Sequence, residues 1–221
     1  MATIVTSVLP AEWTFADVLA QLGGIPLERI RAVPPAGMAT EQDVIDAKPR
    51  FGRICELIDG VLVEKAMGYF ESALAAVLIG WLRNYMAEHQ LGMVLGEAGL
   101  IRLSPGQVRV PDVSVVLWER FAPGGLPREA ILPLAPDLAV EVLSAGNSAG
   151  EMQRKLRDYF QAGVRLVWYV DPRARTLCAY TAPDRFQLID EQGTVDGGEV
   201  LPGLQFTLAD LFAEAAGPHS S

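Results

Sequence analysis

The chain has 221 residues, of which 50% are hydrophobic and 20% charged, with a net charge of −9 and a pI near 4.7. This composition is typical of a globular protein with a substantial core and excludes a disordered chain. The acidic balance also argues against nucleic-acid binding over the whole surface, because phosphate contacts need positive charge.

One stretch departs from the acidic balance. Between residues 154 and 175, six basic residues stand against two acidic ones, so the stretch carries +4 and the remainder −13. A local basic surface on an acidic protein is compatible with DNA binding but does not require it.

The sequence predicts a cytoplasmic protein with no membrane partner. Residues 1–10 lack the basic start and cleavage pattern of a signal peptide, and the apolar run 73–82 is too short to span a bilayer. Cys55 and Cys178 lie in apolar, strand-like runs and are predicted to be buried, reduced thiols.

Three regions are predicted along the chain. Residues 1–46 form an accessory segment with a short amphipathic helix near residues 14–22, followed by glycine and proline breakers. The main domain covers 47–213, and 214–221 form a tail. The domain opens with a β-hairpin whose Asp59-Gly60 pair suits the positive φ angles of a type I′ turn.

The rest of the main domain alternates helices and strands. A long amphipathic helix contains apolar residues at helical spacing from Leu74 to Tyr85. A second helix covers 149–162, with a capping box at Ser148 and a terminating Gly163. Strands are predicted near 93–103, 108–118, 137–144 and 165–170. The order helix, three strands, helix, strand predicts an α/β (α+β) mixed sheet with helices packed on it.

Three charged residues occupy positions where these elements should be apolar. Asp112 follows Pro111 at the start of an apolar run, Glu141 interrupts a strand, and Lys155 lies beside the buried stripe of the second helix. An unpaired buried charge is costly, so such a cluster indicates a metal or a functional site. Taken singly, each has another explanation: a turn for Asp112, a solvated or salt-bridged carboxylate for Glu141, and a surface lysine for Lys155.

Element geometry predicts that Glu141 and Lys155 lie at the same level. Glu141 is roughly 10 Å from the end of its strand, at about 3.3 Å per residue. Lys155 is roughly 10 Å beyond Ser148, at about 1.5 Å per residue. Asp112 should lie beside them, because consecutive strands are usually neighbours. The helical wheel places three charged residues on the outer face of the same helix, namely Arg154, Arg157 and Asp158.

Two further carboxylates are candidates for the same site. Glu56 lies between Ile54 and Ile58 on one face of the hairpin strand. Glu71 lies in the first turn of the long helix, where the helix dipole alone favours an acidic residue.

Several motifs together resemble the Uma-type family of restriction endonucleases, which belongs to the PD-(D/E)XK nuclease superfamily. They are CELIDGVLVE at 55–64, PDV at 111–113, PDLAVEVLS at 136–144, KLRDYFQAG at 155–163 and VDP at 170–172. The resemblance covers about residues 50–213. It implies a restriction-endonuclease-like core of order α-β-β-β-α-β, with the hairpin before it and the accessory segment as an extension.

The resemblance also implies a site and an activity. Asp112 and Glu141 would bind Mg²⁺ or Mn²⁺, with the main-chain carbonyl of Val142 as a third ligand. Lys155 would orient the attacking water and stabilise developing charge, because Leu143 stands where the superfamily signature has its lysine. The family pattern also has an acid at the position of Glu56.

The implied function is a divalent-metal-dependent DNA endonuclease, and a homodimer is compatible with it. One alternative is a catalytically inactive nuclease-fold module that binds or regulates, which the acidic pI and Leu143 favour. Another is a metal-dependent hydrolase of RNA or another phosphate substrate.

Overall fold

The computed structural model describes residues 8–66, 68–122 and 126–217. Five α-helices lie within these ranges: α1 (Phe15–Gln21), α2 (Glu41–Phe51), α3 (Tyr69–His89), α4 (Ala149–Gln161) and α5 (Leu208–Ala216). The strands of the first half are β1 (Cys55–Ile58), β2 (Val61–Glu64), β3 (Gly92–Gly96), β4 (Ile101–Ser104), β5 (Gln107–Arg109) and β6 (Val113–Leu117). Those of the second half are β7 (Leu138–Val142), β8 (Leu166–Asp171), β9 (Thr176–Ala182), β10 (Arg185–Ile189), β11 (Thr194–Asp196) and β12 (Gln205–Thr207).

The strands form two larger sheets and one small one. Strands β2-β1-β5-β4 form a four-stranded sheet, β10-β9-β8-β7-β6-β3 a six-stranded sheet, and β11-β12 a two-stranded ribbon. Only the β7–β8 pairing is parallel among the described strands. The predicted mixed sheet with packed helices is confirmed.

Each of the predicted strands 93–103 and 108–118 is divided between the two larger sheets. A turn in which the Gly99 N–H donates to the Gly96 carbonyl separates β3 from β4. Pro111, which has no N–H to donate, separates β5 from β6. Strands β3, β6, β7 and β8 therefore belong to the six-stranded sheet, with α3 before β3 and α4 between β7 and β8. The β4–β5 hairpin lies between β3 and β6 in the chain but belongs to the four-stranded sheet.

Local signals agree with the predicted hairpin and second helix. Asp59 and Gly60 have φ angles of 49° and 71°, as the predicted turn type requires. Ser148 caps α4 through a capping box with Glu151. Cys55 is buried and Cys178 is half-buried, and both are free thiols.

Helices cover both faces of the six-stranded sheet. One cluster places α3 and α5 against residues such as Val140 and Trp168, and another places α4 against Ala139 and Tyr169. Because side chains alternate along a strand, Glu141 of β7 faces α4 together with Ala139. None of the helices in the described ranges is long and apolar enough to cross a membrane.

The N-terminal segment packs on the hairpin. Leu22 and Ile25 are buried in one cluster with Ile58 and Val61. The domain boundaries predicted after residues 46 and 213 fall inside α2 and α5, respectively. The division into three regions remains a prediction.

Candidate active site

A cluster of charged side chains lies where the two larger sheets meet beneath α4. The four-stranded sheet contributes Glu56, Arg109 and Lys65, which follows β2; the six-stranded sheet contributes Asp112 and Glu141; and α4 contributes Lys155 and Asp158. The sequence predicts Asp112, Glu141 and Lys155 in one place with Glu56 as a further candidate, and the fold brings all seven residues together.

Lys155 joins the two sheets. Its Nζ lies 2.9 Å from Oε1 of Glu141 and 3.0 Å from Oε1 of Glu56, and its side chain is only 3% exposed. The predicted proximity of Glu141 and Lys155 is therefore confirmed, and Glu56 lies beside them. Burial opposes the charge of Lys155, but the two carboxylates outweigh it and raise the pKa of the amine above its ordinary value.

Asp112 lies at the point where the chain passes from β5 to β6. Its N–H donates to the Val140 carbonyl, and its Oδ2 accepts a 2.7 Å hydrogen bond from the Val142 N–H. Lys65 Nζ lies 2.7 Å from Oδ1 of Asp112 and donates to the Val110 carbonyl at 2.6 Å. Asp112 is thus fixed on β7 and already paired with a lysine.

Glu56 is the most tightly held carboxylate of the cluster. Its side chain is 1% exposed, accepts the Val110 N–H at 3.0 Å, and lies 2.9 Å from Nη1 of Arg109. Burial raises its pKa, but Lys155 and Arg109 more than offset this and hold the pKa of Glu56 at about 2. Glu56 therefore remains ionised and anchors Lys155 from the side of the four-stranded sheet.

Glu141 has fewer polar partners than Glu56, namely the amine of Lys155 and the hydroxyl of Tyr159. Burial raises its pKa above the ordinary value, against the opposing effect of Lys155. The Tyr159 hydroxyl donates to Oε1 of Glu141, whereas none of the hydrogen bonds found in the described residues uses Oε2. The second oxygen of Glu141 is therefore available to a ligand.

The outer face predicted for α4 is partly wrong. Arg157 is exposed, but Arg154 and Asp158 are each only 8% exposed. Arg154 is covered by the N-terminal segment, where it donates to the Gln21 carbonyl, and Asp158 pairs with Arg109 of β5. The helical wheel fails because α4 is covered from a second side by segments distant in sequence.

The predicted basic surface at 154–175 is also reduced by pairing. Arg154 and Lys155 are buried in ion pairs, Arg165 lies near Asp137, and Arg175 pairs with Glu191. The positive charge of this stretch is therefore largely neutralised by carboxylates from elsewhere in the fold.

Glu71 lies apart from these contacts. Its carboxylate folds back on the first turn of α3, where a Cβ at Gly68 would lie 2.0 Å from Oε2. No hydrogen bond or ion pair among the described residues connects it to the cluster. This position supports the helix-dipole explanation.

A cleft open to solvent reaches the cluster at Asp112. It has a volume of about 380 Å³, lies between α3 and the β3–β4 turn, and is lined by residues that include Ser72, Ala76, Glu97 and Asp112. The side chain of Asp112 is 13% exposed, against 6% for Glu141 and 1% for Glu56. A ligand in this cleft would therefore contact Asp112 first.

The donor set suits a hard divalent cation. Asp112 and Oε2 of Glu141 supply carboxylate oxygens, and the Val142 carbonyl faces the same side of β7 as the N–H that reaches Asp112. Within the described ranges, no group of three or more His, Cys, Asp or Glu side chains is arranged to hold a metal ion. A site here would consequently need water molecules to complete the coordination, which is usual for Mg²⁺.

Three of the seven residues escaped the sequence-based prediction. Arg109 stands between Val108 and Val110, so it gives the same signal as Glu141: a charge inside an apolar run. Lys65 and Asp158 give no such signal, because each stands next to another charged residue, Glu64 and Arg157 respectively. Tyr159 of α4 lies outside this set of seven but also directs its hydroxyl to Glu141.

Comparisons with known proteins agree with this architecture. Residues 49–209 match the family described as "Uma2: Putative restriction endonuclease". The fold is similar to the crystal structure of a "putative nuclease belonging to DUF820" from Anabaena variabilis, with a TM-score of 0.66 and 22% identity over 76% of this chain and 94% of the other. No curated protein matches the chain. Because the family match spans most of its length, the chain belongs to the Uma2 family.

Proposed function

We propose that this protein is a divalent-metal-dependent endonuclease that hydrolyses phosphodiester bonds of DNA. The observation that carries the proposal is the convergence of Asp112, Glu141 and Lys155 around the end of β7, with Asp112 also lining an open cleft. Family membership and fold support nuclease activity in general, and the cluster gives that activity a location.

Asp112, Glu141 and the Val142 carbonyl would hold Mg²⁺ or Mn²⁺. When bound, such an ion polarises a phosphate and favours ionisation of a coordinated water. Lys155 uses two of its three N–H groups on Glu141 and Glu56, so one is left for a water or a phosphate oxygen. Because Lys155 is held protonated, its role is to orient and stabilise negative charge, not to remove a proton.

Plasmid cleavage with Mg²⁺ or Mn²⁺, compared with EDTA, tests the proposal. Asp112→Asn and Glu141→Gln should each lower the cleavage rate by about 100-fold or more, because each removes a charged ligand. Asp46→Asn is a control, because Asp46 is exposed on α2 and its one side-chain hydrogen bond among the described residues is accepted from Gln42. Equal rates for the unmodified protein and both site variants would refute the assignment.

A second candidate is a nuclease-fold module that binds without turnover. It is favoured by the lysines that already pair with Asp112 and Glu141, and by Leu143 at the signature position. This candidate predicts DNA or protein binding that survives the Asp112 and Glu141 substitutions. A panel of DNA, RNA and small phosphodiesters separates the DNA endonuclease from a hydrolase of other phosphates.

The predicted homodimer and cytoplasmic location remain predictions. Light scattering of the purified chain would measure its oligomeric state, and cell fractionation would measure its location.

A further inference from the structure

We propose that Arg29 is a positioning residue that holds both lysine-bearing elements of the proposed active site in register. The effect on catalysis rests on the proposed function, whereas the effect on structure does not. Arg29 follows α1 in the N-terminal segment, before the part of the chain that matches the Uma2 family.

The guanidinium of Arg29 donates hydrogen bonds to acceptors on three different elements. Nε donates to the Glu64 carbonyl at 2.8 Å, and Nη1 to the Gly146 carbonyl at 2.7 Å. Nη1 and Nη2 together grip the Glu151 carboxylate at 2.8 and 2.7 Å. Arg29 thereby joins the end of β2, the loop after β7 and the first turn of α4.

These contacts are adjacent to the two lysines of the cluster. Glu64 directly precedes Lys65, and Glu151 lies one helical turn before Lys155. The side chains of Arg29 and Glu151 are only 11% and 2% exposed, so the pair is largely shielded from water. A shift of either element would therefore move an amine relative to Asp112 or Glu141.

Other contacts seat the same segment on α4. The Ser148 hydroxyl donates to the Gly23 carbonyl at 2.6 Å, and Arg154 donates to the Gln21 carbonyl at 2.6 Å. Gly23 and Gly150 approach so closely that a Cβ at Gly23 would lie 2.3 Å from the Gly150 carbonyl carbon. Residues 21–29 thus hold the beginning of α4 through side-chain and main-chain contacts alike.

The geometry requires arginine and not merely a positive charge. A planar guanidinium can grip a carboxylate with two parallel bonds and still donate through Nε, whereas an ammonium cannot reach all three elements. Misplacing a reacting group by about 1 Å can lower a rate by about 100-fold. Arg29→Lys should therefore fail to restore the function that Arg29→Met loses.

Hydrogen exchange of the metal-free protein tests the structural part of the proposal. Arg29→Met, Arg29→Lys and Glu151→Gln should each raise exchange of the α4 amides at 152–156 by about 10-fold or more, because a buried partner is lost. Arg31→Met is the matched control: Arg31 belongs to the same segment and pairs with Glu64 at 2.7 Å, but within the described part of the chain it makes no hydrogen bond or ion pair to α4. Its α4 exchange should equal that of the unmodified protein.

Cleavage kinetics test the catalytic part. The two Arg29 variants should lower kcat by about 10- to 100-fold with KM changed by less than about 3-fold, because the cleft itself is intact. Arg31→Met should retain the unmodified kcat. If Arg29→Met fails to fold, Arg29→Lys and Glu151→Gln give the same comparison.

The outcomes separate this inference from the proposed function. Unchanged α4 exchange in the Arg29 variants, or an unchanged kcat despite faster exchange, would overturn the positioning role. An unmodified protein that cleaves no substrate would overturn the proposed function and the catalytic part with it. The exchange comparison would then still decide whether Arg29 holds α4.

Discussion

Replacing Lys65 should strengthen the binding of a divalent cation at Asp112. The Lys65 amine lies 2.7 Å from Oδ1 of Asp112, and the two side chains are only 4% and 13% exposed. An incoming cation must compete with this amine and also approaches its positive charge. A charged hydrogen bond of this kind contributes about 1.5–3 kcal/mol, which corresponds to about a 10- to 150-fold change in affinity. Lys65→Gln should therefore bind Mn²⁺ more tightly by about that factor.

Titration calorimetry with Mn²⁺ on the unmodified protein and Lys65→Gln measures this difference. Arg31→Met is again a suitable control, because it removes a cation that pairs with Glu64 of the same hairpin and has no ion pair with Asp112 among the described residues. Lys65→Gln combined with Asp112→Asn should lose the gain. Equal or weaker Mn²⁺ binding by a folded Lys65→Gln protein would show that Lys65 does not compete with the cation, and absence of binding in every variant would refute the metal site.

Two further predictions concern the stability of the cluster. Glu56 has a pKa of about 2 in the fold against an ordinary value of 4.5, so its stabilisation is fully present above pH 4.5 and is lost as the pH falls through 2. Between pH 6 and pH 3.5, the free energy of unfolding measured in urea should therefore fall by about 1 kcal/mol more for the unmodified protein than for Glu56→Gln. Equal decreases would contradict the pairing of Glu56 with Lys155 and Arg109. Lys155→Met should lower the free energy of unfolding by about 3–5 kcal/mol at pH 7, because two buried carboxylates lose their shared cation. Adding Glu141→Gln to Lys155→Met should restore part of the lost stability. Strictly additive effects of the two substitutions would contradict the contact between Lys155 and Glu141.

Much of the site could be predicted because its signals are local. The rise per residue of a strand and of a helix places Glu141 and Lys155 at one level without any knowledge of the sheet order. The capping box fixes where α4 begins, and Asp59-Gly60 fixes the hairpin turn. These features depend on neighbours within a few residues, which the sequence displays directly.

The remaining features depend on contacts between distant segments. The hairpin sheet joins the site because β5 pairs with β1, a pairing of residues about 50 positions apart that no periodicity reveals. Asp158 is buried because Arg109 reaches it from β5, and Lys65 meets Asp112 only because Pro111 ends β5 at the junction of the sheets. The pairing of β5 with β1 therefore both divides the predicted strand 108–118 between two sheets and brings these charged residues into the site.

The arrangement around α4 explains how a nuclease-like site can exist with leucine at position 143. Alternation along the chain directs Leu143 toward the same side as Glu141, and it packs against the apolar cluster of α4. The amine comes instead from α4 itself, where Lys155 is held between Glu141 and Glu56. Because the amine is carried by a helix and not by β7, its position depends on how α4 is seated. That dependence is the basis of the positioning role proposed for Arg29 in the N-terminal segment.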